Sequence, residues 1–467
     1  MTRKRFDENM KIDREYVLSL IEGAKETTKE EIDRILEKAK NKKGLEHSEV
    51  AALLEIEDKE QVKKLFEIAG QVKKDVYGNR IVLFAPLYIS DYCVNNCVYC
   101  GYKCKNKFVR RRLTMDEIRK EVEILEKMGH KRLALEAGED PVNCPIEYVL
   151  ESIKTIYDTY EKNGAIRRIN VNIAATTVEN YKKLKEAQIG TYILFQESYD
   201  EEVYNKMHPN CLKGNYDYHT TAFDRAMEGG IDDVGAGVLF GLADPKFEVL
   251  SLMMHNQHLE KKFGVGFHTI SVPRLRPAEG VTLENFPHLV DDDMFKKIVA
   301  IIRLAVPYTG MILSTREDED MRKELLEYGI SQVSAGSCTG VGGYEEAMNG
   351  KNVDQFEKAD ERTPIEVIED LIDHNYIPSY CTACYRTGRT GEKFMNIAKS
   401  EKIHYMCKPN ALTTLMEYAI DYGDERFLKK AEKFVREQAS TIDRDDIKKF
   451  ILANIDKLKN GERDLYI

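Results

Sequence analysis

No apolar run in this chain approaches the roughly 18 consecutive residues that a membrane helix needs, which excludes a membrane span of that kind. The opening stretch MTRKRFDENMKIDREY is basic and then acidic with no apolar h-region, so no secretory leader is expected and the chain is assigned to the cytoplasm. Low-complexity tracts are absent; 29 Gly and 12 Pro are ordinary for a globular protein. A face-sized basic block is also missing, and 70 Lys and Arg against 80 Asp and Glu leave a net charge of -10, which argues against a general nucleic-acid binder. Short basic runs such as Arg110, Arg111 and Arg112 read as solvated or as local anion contacts. Few cysteines stand alone: six of the ten fall in two tight groups, and only Cys104, Cys144, Cys211 and Cys338 lie outside them. In a long cytosolic chain such clustering points to metal or redox chemistry rather than to a disulfide framework.

The 467 residues allow two or three domains at about 150 residues each. Residues 1–80 read as a helical N-terminal extension. Thr28 and Glu31 form a capping box ahead of an apolar stripe of Ile32, Ile35, Leu36 and Ala39, and a second helical stretch breaks near Glu55 to Asp58. Residues 81–340 alternate β-rich runs with amphipathic helices. Eight runs are expected as strands, at 81–89, 132–138, 166–174, 191–198, 232–240, 265–272, 310–315 and 330–337. The rhythm fits an α/β TIM barrel of eight β/α units, although an open doubly wound sheet has the same local signature. Residues 341–467 leave that rhythm and are expected to form a mostly helical C-terminal domain.

Cys93, Cys97 and Cys100 follow the first strand as C-x3-C-x2-C. Soft thiolates select zinc or an iron-sulfur cluster. Three on one loop can hold three irons of a 4Fe-4S cube and leave the fourth open to a small molecule. A zinc site completed by Cys104 is the alternative. With Tyr99 before the third Cys and the loop after the first barrel strand, the pattern resembles the radical S-adenosylmethionine (SAM) superfamily. The resemblance implies a SAM-binding cluster and draws in Ala137, Gly138 and Glu139, similar to the superfamily's Gly-Gly-Glu segment with its first Gly replaced. Asn172, Gln196 and Glu197 are candidates for the ribose, with buried structural hydrogen bonds as the alternative. Arg274 and Arg276 are candidates for the SAM carboxylate, with surface salt bridges as the alternative.

Cys381 and Cys384, followed after 22 residues by Cys407, make a second group, C-x2-C-x22-C. A zinc ribbon completed by His404 is the alternative. Combined on one barrel, and with SVPRLRPA, STRED and CTACYRTGRTGEKFM, the two groups resemble the ThiH/HydG-like family of radical SAM tyrosine lyases, in particular those that mature FeFe-hydrogenase. Thiazole-pathway tyrosine lyases share the barrel and substrate without the second group, so they remain the nearest alternative; a non-catalytic iron-sulfur carrier is another.

The resemblance implies two 4Fe-4S clusters, SAM, and an additional iron with free L-cysteine at the second cluster. It also implies cleavage of L-tyrosine to p-cresol and dehydroglycine, and conversion of the latter to carbon monoxide and cyanide on an iron unit for the hydrogenase H-cluster. Reduced flavodoxin or ferredoxin would donate electrons, and other hydrogenase maturases would be partners. A tyrosine zwitterion needs a counter-charge for its carboxylate. Arg316 is the candidate, against an ion pair with Asp318 or Asp320. Ser337 and the TGVGGY segment are candidates for the tyrosine site. His268 is the candidate ligand of the additional iron, against a core histidine; His255 and His258 are weaker because they sit on an expected helix.

Overall fold

The computed structural model describes residues 9–400 and 403–467; residues 1–8, the start of the opening stretch from which no leader is expected, lie outside the described residues. All eight expected runs contain strands: β1 (Arg80–Ser90), β2 (Arg132–Ala137), β3 (Arg168–Asn172), β4 (Tyr192–Glu197), β5 (Val234–Val238), β6 (Thr269–Ser271), β7 (Gly310–Leu313) and β8 (Gln332–Ser334). Every pairing between them is parallel, and β1 closes the ring by pairing with both β2 and β8. The protein is therefore a TIM-type barrel rather than an open sheet.

A ninth strand, β9 (Ile377–Ser379), was not expected from the sequence. It runs parallel to the first residues of β1, with Arg80 opposite Ile377 and Val82 opposite Ser379. β1 is thus shared: β9 and β8 flank its N-terminal half, and β2 takes over from Ala85. A three-residue strand containing Pro378 has no period-2 pattern to read, and proline is tolerated because β9 has β1 as its single neighbour and is an edge strand.

The capping boxes at Thr28 and Thr114 form as expected and start helices Lys29–Ala39 and Met115–Lys127. The helical break falls between His47–Leu54 and Lys59–Tyr77. These N-terminal helices pack on the barrel helices Pro245–Phe263, Asp292–Ala305 and Glu319–Tyr328. The C-terminal helix Ile403–Tyr422 lies against β9 and is covered by Glu425–Ser440 and Asp445–Lys459. One apolar core runs from Val17 to Leu458. The segments 1–80, 81–340 and 341–467 therefore share a core, and β9 carries the third into the barrel sheet. Among the described residues, no helix is long and apolar enough to cross a membrane.

Packing inside the barrel is tight at β5, where a Cβ on Gly237 would stand 2.3 Å from the ring of Phe195 on β4. Gly237→Ala is expected to cost about 1–3 kcal/mol through this overpacking, read as a lower denaturant midpoint. An unchanged midpoint would show that Phe195 yields freely.

Candidate active site and second thiol site

The first thiol group lies where parallel-barrel chemistry is found, at the C-terminal ends of the strands. Cys93, Cys97 and Cys100 line a cavity of about 310 Å³. Asn95 fixes their loop: its side chain donates to Glu139 Oε2 at 2.5 Å and accepts from the Lys213 amide at 2.9 Å, and its carbonyl accepts from the Cys104 amide at 2.7 Å. The Val94 amide donates to the Glu139 carbonyl at 2.8 Å. Gly138 must be glycine, because a Cβ there would meet the Tyr92 carbonyl oxygen at 2.4 Å.

These thiols suit a soft metal cluster. Burial pushes Cys93 and Cys100 up, so loading a metal must release protons. The Tyr102 amide donates to Cys100 Sγ at 3.3 Å and Gln355 Nε2 approaches it at 3.6 Å, the kind of N–H contact that tunes cluster sulfur. Cys104, the expected fourth ligand of a zinc alternative, is exposed; the thiol beside Cys97 is Cys211, to which it is hydrogen-bonded. Among the described residues no three His, Cys, Asp or Glu side chains stand close enough to share a single metal ion.

Around this cavity the structure gathers Gly138, Glu139, Asn172, Glu197, Arg276, Arg316 and Ser337, but not Gln196 or Arg274. Gln196 and Glu197 are consecutive on a strand and point to opposite faces. The register of β4 shifts between Phe195 and Glu197, and Glu197 adopts φ +68°, an uncommon conformation for a non-glycine residue. Glu197 enters the cavity and pairs with Lys213 at 2.8 Å. Gln196 turns into the wall, donating to Thr220 Oγ1 at 3.0 Å, so the ribose expectation for it is replaced by the buried structural bond. Arg274 is likewise engaged elsewhere, with Glu317 and, at 2.7 Å, Asp292. Arg276 shares Glu317 at 2.9 Å and keeps its buried Nε without a partner.

Arg316 is not paired as a helix-start residue. The Asp318 carboxylate caps the following helix at the Met321 amide, while the Arg316 guanidinium lies 3.5 Å from the centre of the Phe356 ring and faces the cavity. Burial lowers its pKa from the usual arginine value. Ser337 Oγ is buried without a hydrogen-bond partner. Glu136 was missed. It is half-buried because the cavity touches it, and it accepts from Asn172 Nδ2 at 2.6 Å. Enclosure by protein lifts its pKa to about 8, against the opposing pull of Asn172 and Arg316. The available signal was an acid inside a barrel strand, two positions before Gly138 and hence on the same face.

The second thiol group lies at the opposite end of the barrel. Cys381, Cys384, Cys407 and His268 line a cavity of about 50 Å³ together with Arg80, Arg132 and Gln332 from the strand starts. His268 immediately precedes β6 and so faces this end. Its Nε2 is 2.8 Å from the Tyr385 hydroxyl, and its Nδ1 is 3.2 Å from Asp233 but misaligned for a hydrogen bond. Burial lowers its pKa, keeping the imidazole neutral as a metal ligand must be. Thr382 Oγ1, Arg80 Nε and Arg168 Nη1 are also buried without partners. A hydrogen bond with Cys407, and the guanidinium groups of Arg389, Arg80 and Arg168, draw the Cys384 thiol down. Thiol donors ringed by unpaired cationic groups fit a thiolate-held, anionic cluster. His404, the expected completer of a zinc ribbon, instead contacts the Asp75 carbonyl at 2.7 Å.

A closed parallel barrel with three thiols on the loop after its first strand defines a radical SAM enzyme. The family described as Radical SAM superfamily matches residues 87–250, and the Biotin and Thiamin Synthesis associated domain matches 271–377. A crystal structure of HydG, a maturase of the [FeFe]-hydrogenase, is 57% identical, covers 98% of this chain and 99% of its own, and superposes with a TM-score of 0.95. HydG from Carboxydothermus hydrogenoformans is 39% identical with a TM-score of 0.83, over 95% of this chain and 100% of its own. The 2-iminoacetate synthase of Salmonella typhimurium is 28% identical over 72% of this chain and 87% of its own. The chain belongs to the HydG family of radical SAM enzymes.

Glu136 generates a pH prediction. An unfolded chain ionises this carboxyl near 4.5 and the folded one near 8, so between those values the folded state binds more protons and stability falls as pH rises. Relative to Glu136→Gln, the wild type should lose stability from pH 5 to pH 8, measured by urea midpoints. Parallel profiles would show that the cavity solvates the carboxylate.

Proposed function

We propose that this enzyme cleaves L-tyrosine to p-cresol and dehydroglycine at the first site, and that the two-carbon fragment becomes carbon monoxide and cyanide at the second. The product would be an iron-carbonyl-cyanide unit for assembly of the FeFe-hydrogenase H-cluster, made in the cytoplasm alongside other maturases. One observation carries this reading: two separate three-thiol sites occupy opposite ends of one barrel in a chain 57% identical to a HydG.

Cys93, Cys97 and Cys100 would hold the 4Fe-4S cluster that binds SAM. When bound, cluster and SAM supply a one-electron reduction and a hydrogen-abstracting radical. The chain's own residues then bind and orient. Gly138, Glu139, Asn172, Glu197 and Arg276 surround SAM; Asn172 and Glu197 are polar side chains suited to hydroxyl groups. Arg316 receives the tyrosine carboxylate, because its guanidinium faces the cavity without a carboxylate partner among the described ion pairs. Glu136 stands near Arg316, and the substrate ammonium would draw its carboxyl into the ionised form that pairs with it, while Ser337 Oγ supplies an uncommitted hydrogen bond. At the other end Cys381, Cys384 and Cys407 would hold a second 4Fe-4S cluster, and His268 the additional iron with its free L-cysteine.

Two experiments test the assignment. Truncating one partner of a buried charge pair costs roughly 2–5 kcal/mol, so Arg316→Ala should raise the tyrosine requirement at least tenfold while SAM binding holds; an unchanged requirement would move the carboxylate clamp elsewhere. The double variant Cys381→Ala, Cys384→Ala should still form p-cresol from tyrosine and SAM but release no carbon monoxide, detected by trapping on haemoglobin. Normal carbon monoxide release would remove the second site from the chemistry.

A further inference from the structure

Between Lys103 and Arg112 the sequence reads KCKNKFVRRR, six cations and no carboxylate in a chain of net charge -10. The structure divides these cations. The three arginines are engaged within the chain: Arg110 donates to the carbonyls of Tyr102 at 2.9 Å and Lys103 at 2.7 Å, Arg111 pairs with Glu117 at 2.8 Å, and the exposed Arg112 donates to the Asn143 carbonyl at 2.8 Å. Lys103 reaches the Gly280 carbonyl at 2.6 Å. Lys105 and Lys107 are exposed and have no acidic partner among the described ion pairs. Beside them Val109 is 94% and Phe108 36% exposed.

This outward-facing strip is held on the cluster loop. The Lys103 amide donates to the Cys100 carbonyl at 3.2 Å, and Asn106 Nδ2 donates to the carbonyls of Gly101 at 2.7 Å and Glu279 at 2.9 Å. Cys104 is four residues from Cys100, so their Cα atoms are at most about 15 Å apart. A protein seated on Lys105–Val109 is therefore brought beside the first thiol site without entering the cavity.

We propose that Lys105, Lys107, Phe108 and Val109 form the docking surface for a small acidic one-electron carrier protein. The proposal rests on the radical SAM reading, which requires a reductant. Two free lysines around an exposed apolar pair give a small patch with a cationic rim, which suits the weak, fast encounters of redox partners rather than a lasting complex. Opposite charge on the carrier would steer the encounter against this protein's own negative net charge. At the patch one electron leaves the carrier, taking a flavin hydroquinone to semiquinone, and reduces the cluster by one electron; no bond between the proteins forms or breaks.

The test uses cluster-loaded enzyme, with SAM cleavage driven by reduced flavodoxin or by dithionite, which needs no docking surface. Lys105→Glu with Lys107→Glu should slow the flavodoxin-driven rate at low ionic strength by roughly tenfold or more, and dithionite should restore the wild-type rate within about twofold. Val109→Ser should slow the flavodoxin rate without changing its salt dependence. The wild-type rate should fall with salt, and the charge-reversed variant should lose that dependence. Equal flavodoxin rates in wild type and both variants would overturn the proposal. So would an equal loss in a control reversing the exposed Lys429 and Lys433 on the helix Glu425–Ser440. Failure of the wild type to cleave SAM even with dithionite would instead sink the radical SAM reading.

Discussion

Both thiol sites depend on β1. Its eleven residues, at about 3.3 Å each, place its ends roughly 33 Å apart. Arg80 at its start lines the second cavity, and Ser90 at its end leads directly to Tyr92 and Cys93. Three strands share it, and that sharing is what lets the C-terminal part of the chain enter the barrel: β9 occupies the side of β1 that β2 occupies from Ala85 onward. Cys381 follows β9 by two residues, and its carbonyl accepts from Arg132 at the start of β2 at 2.8 Å. The backbone ladder thus fixes the thiols at opposite ends of one rigid element.

The two ends are electrostatically unlike. At the C-terminal end, charged groups are partly matched within the cavity wall: Glu197 with Lys213, Arg276 with Glu317. Arg316 and Glu136 remain turned toward the space, one positive and one a carboxyl kept neutral by enclosure. A zwitterion would supply a carboxylate to the first, and its ammonium would draw the second into its ionised form. At the other end Arg80, Arg132 and Arg168 crowd around thiols, and burial lowers Arg132 to about 10. Unmatched buried cations are costly, and the anionic cluster proposed for this site would offset them.

Much of the architecture was legible because it is local. Strand runs, capping boxes at Thr28 and Thr114, and the C-x3-C-x2-C loop are written in neighbouring residues, where hydrophobic period, side-chain capping and chain geometry act over a few positions. The cysteine spacings pointed to thiolate-held metal, zinc or iron-sulfur, and the likeness to a family came from the same motifs. β9 escaped because three residues with a proline carry no pattern, and the shared core of the terminal segments escaped because nothing local records which faces meet.

The sequence alone determined an eight-unit β/α chain with two thiol groups, an Arg after the seventh strand and a His within the sixth-strand run, since each is a matter of residue type and spacing. The tertiary structure decided which of these residues share a cavity. The register shift that turns Glu197 inward and Gln196 away, the capture of Arg274 by Glu317 and Asp292, and the gathering of Glu136 with Arg316 all depend on contacts between residues distant in the chain. The same is true of His268, placed beside cysteines more than a hundred positions onward. Side-chain direction at a strand end is set by pairing register and by competing partners, and those exist only once the barrel has closed.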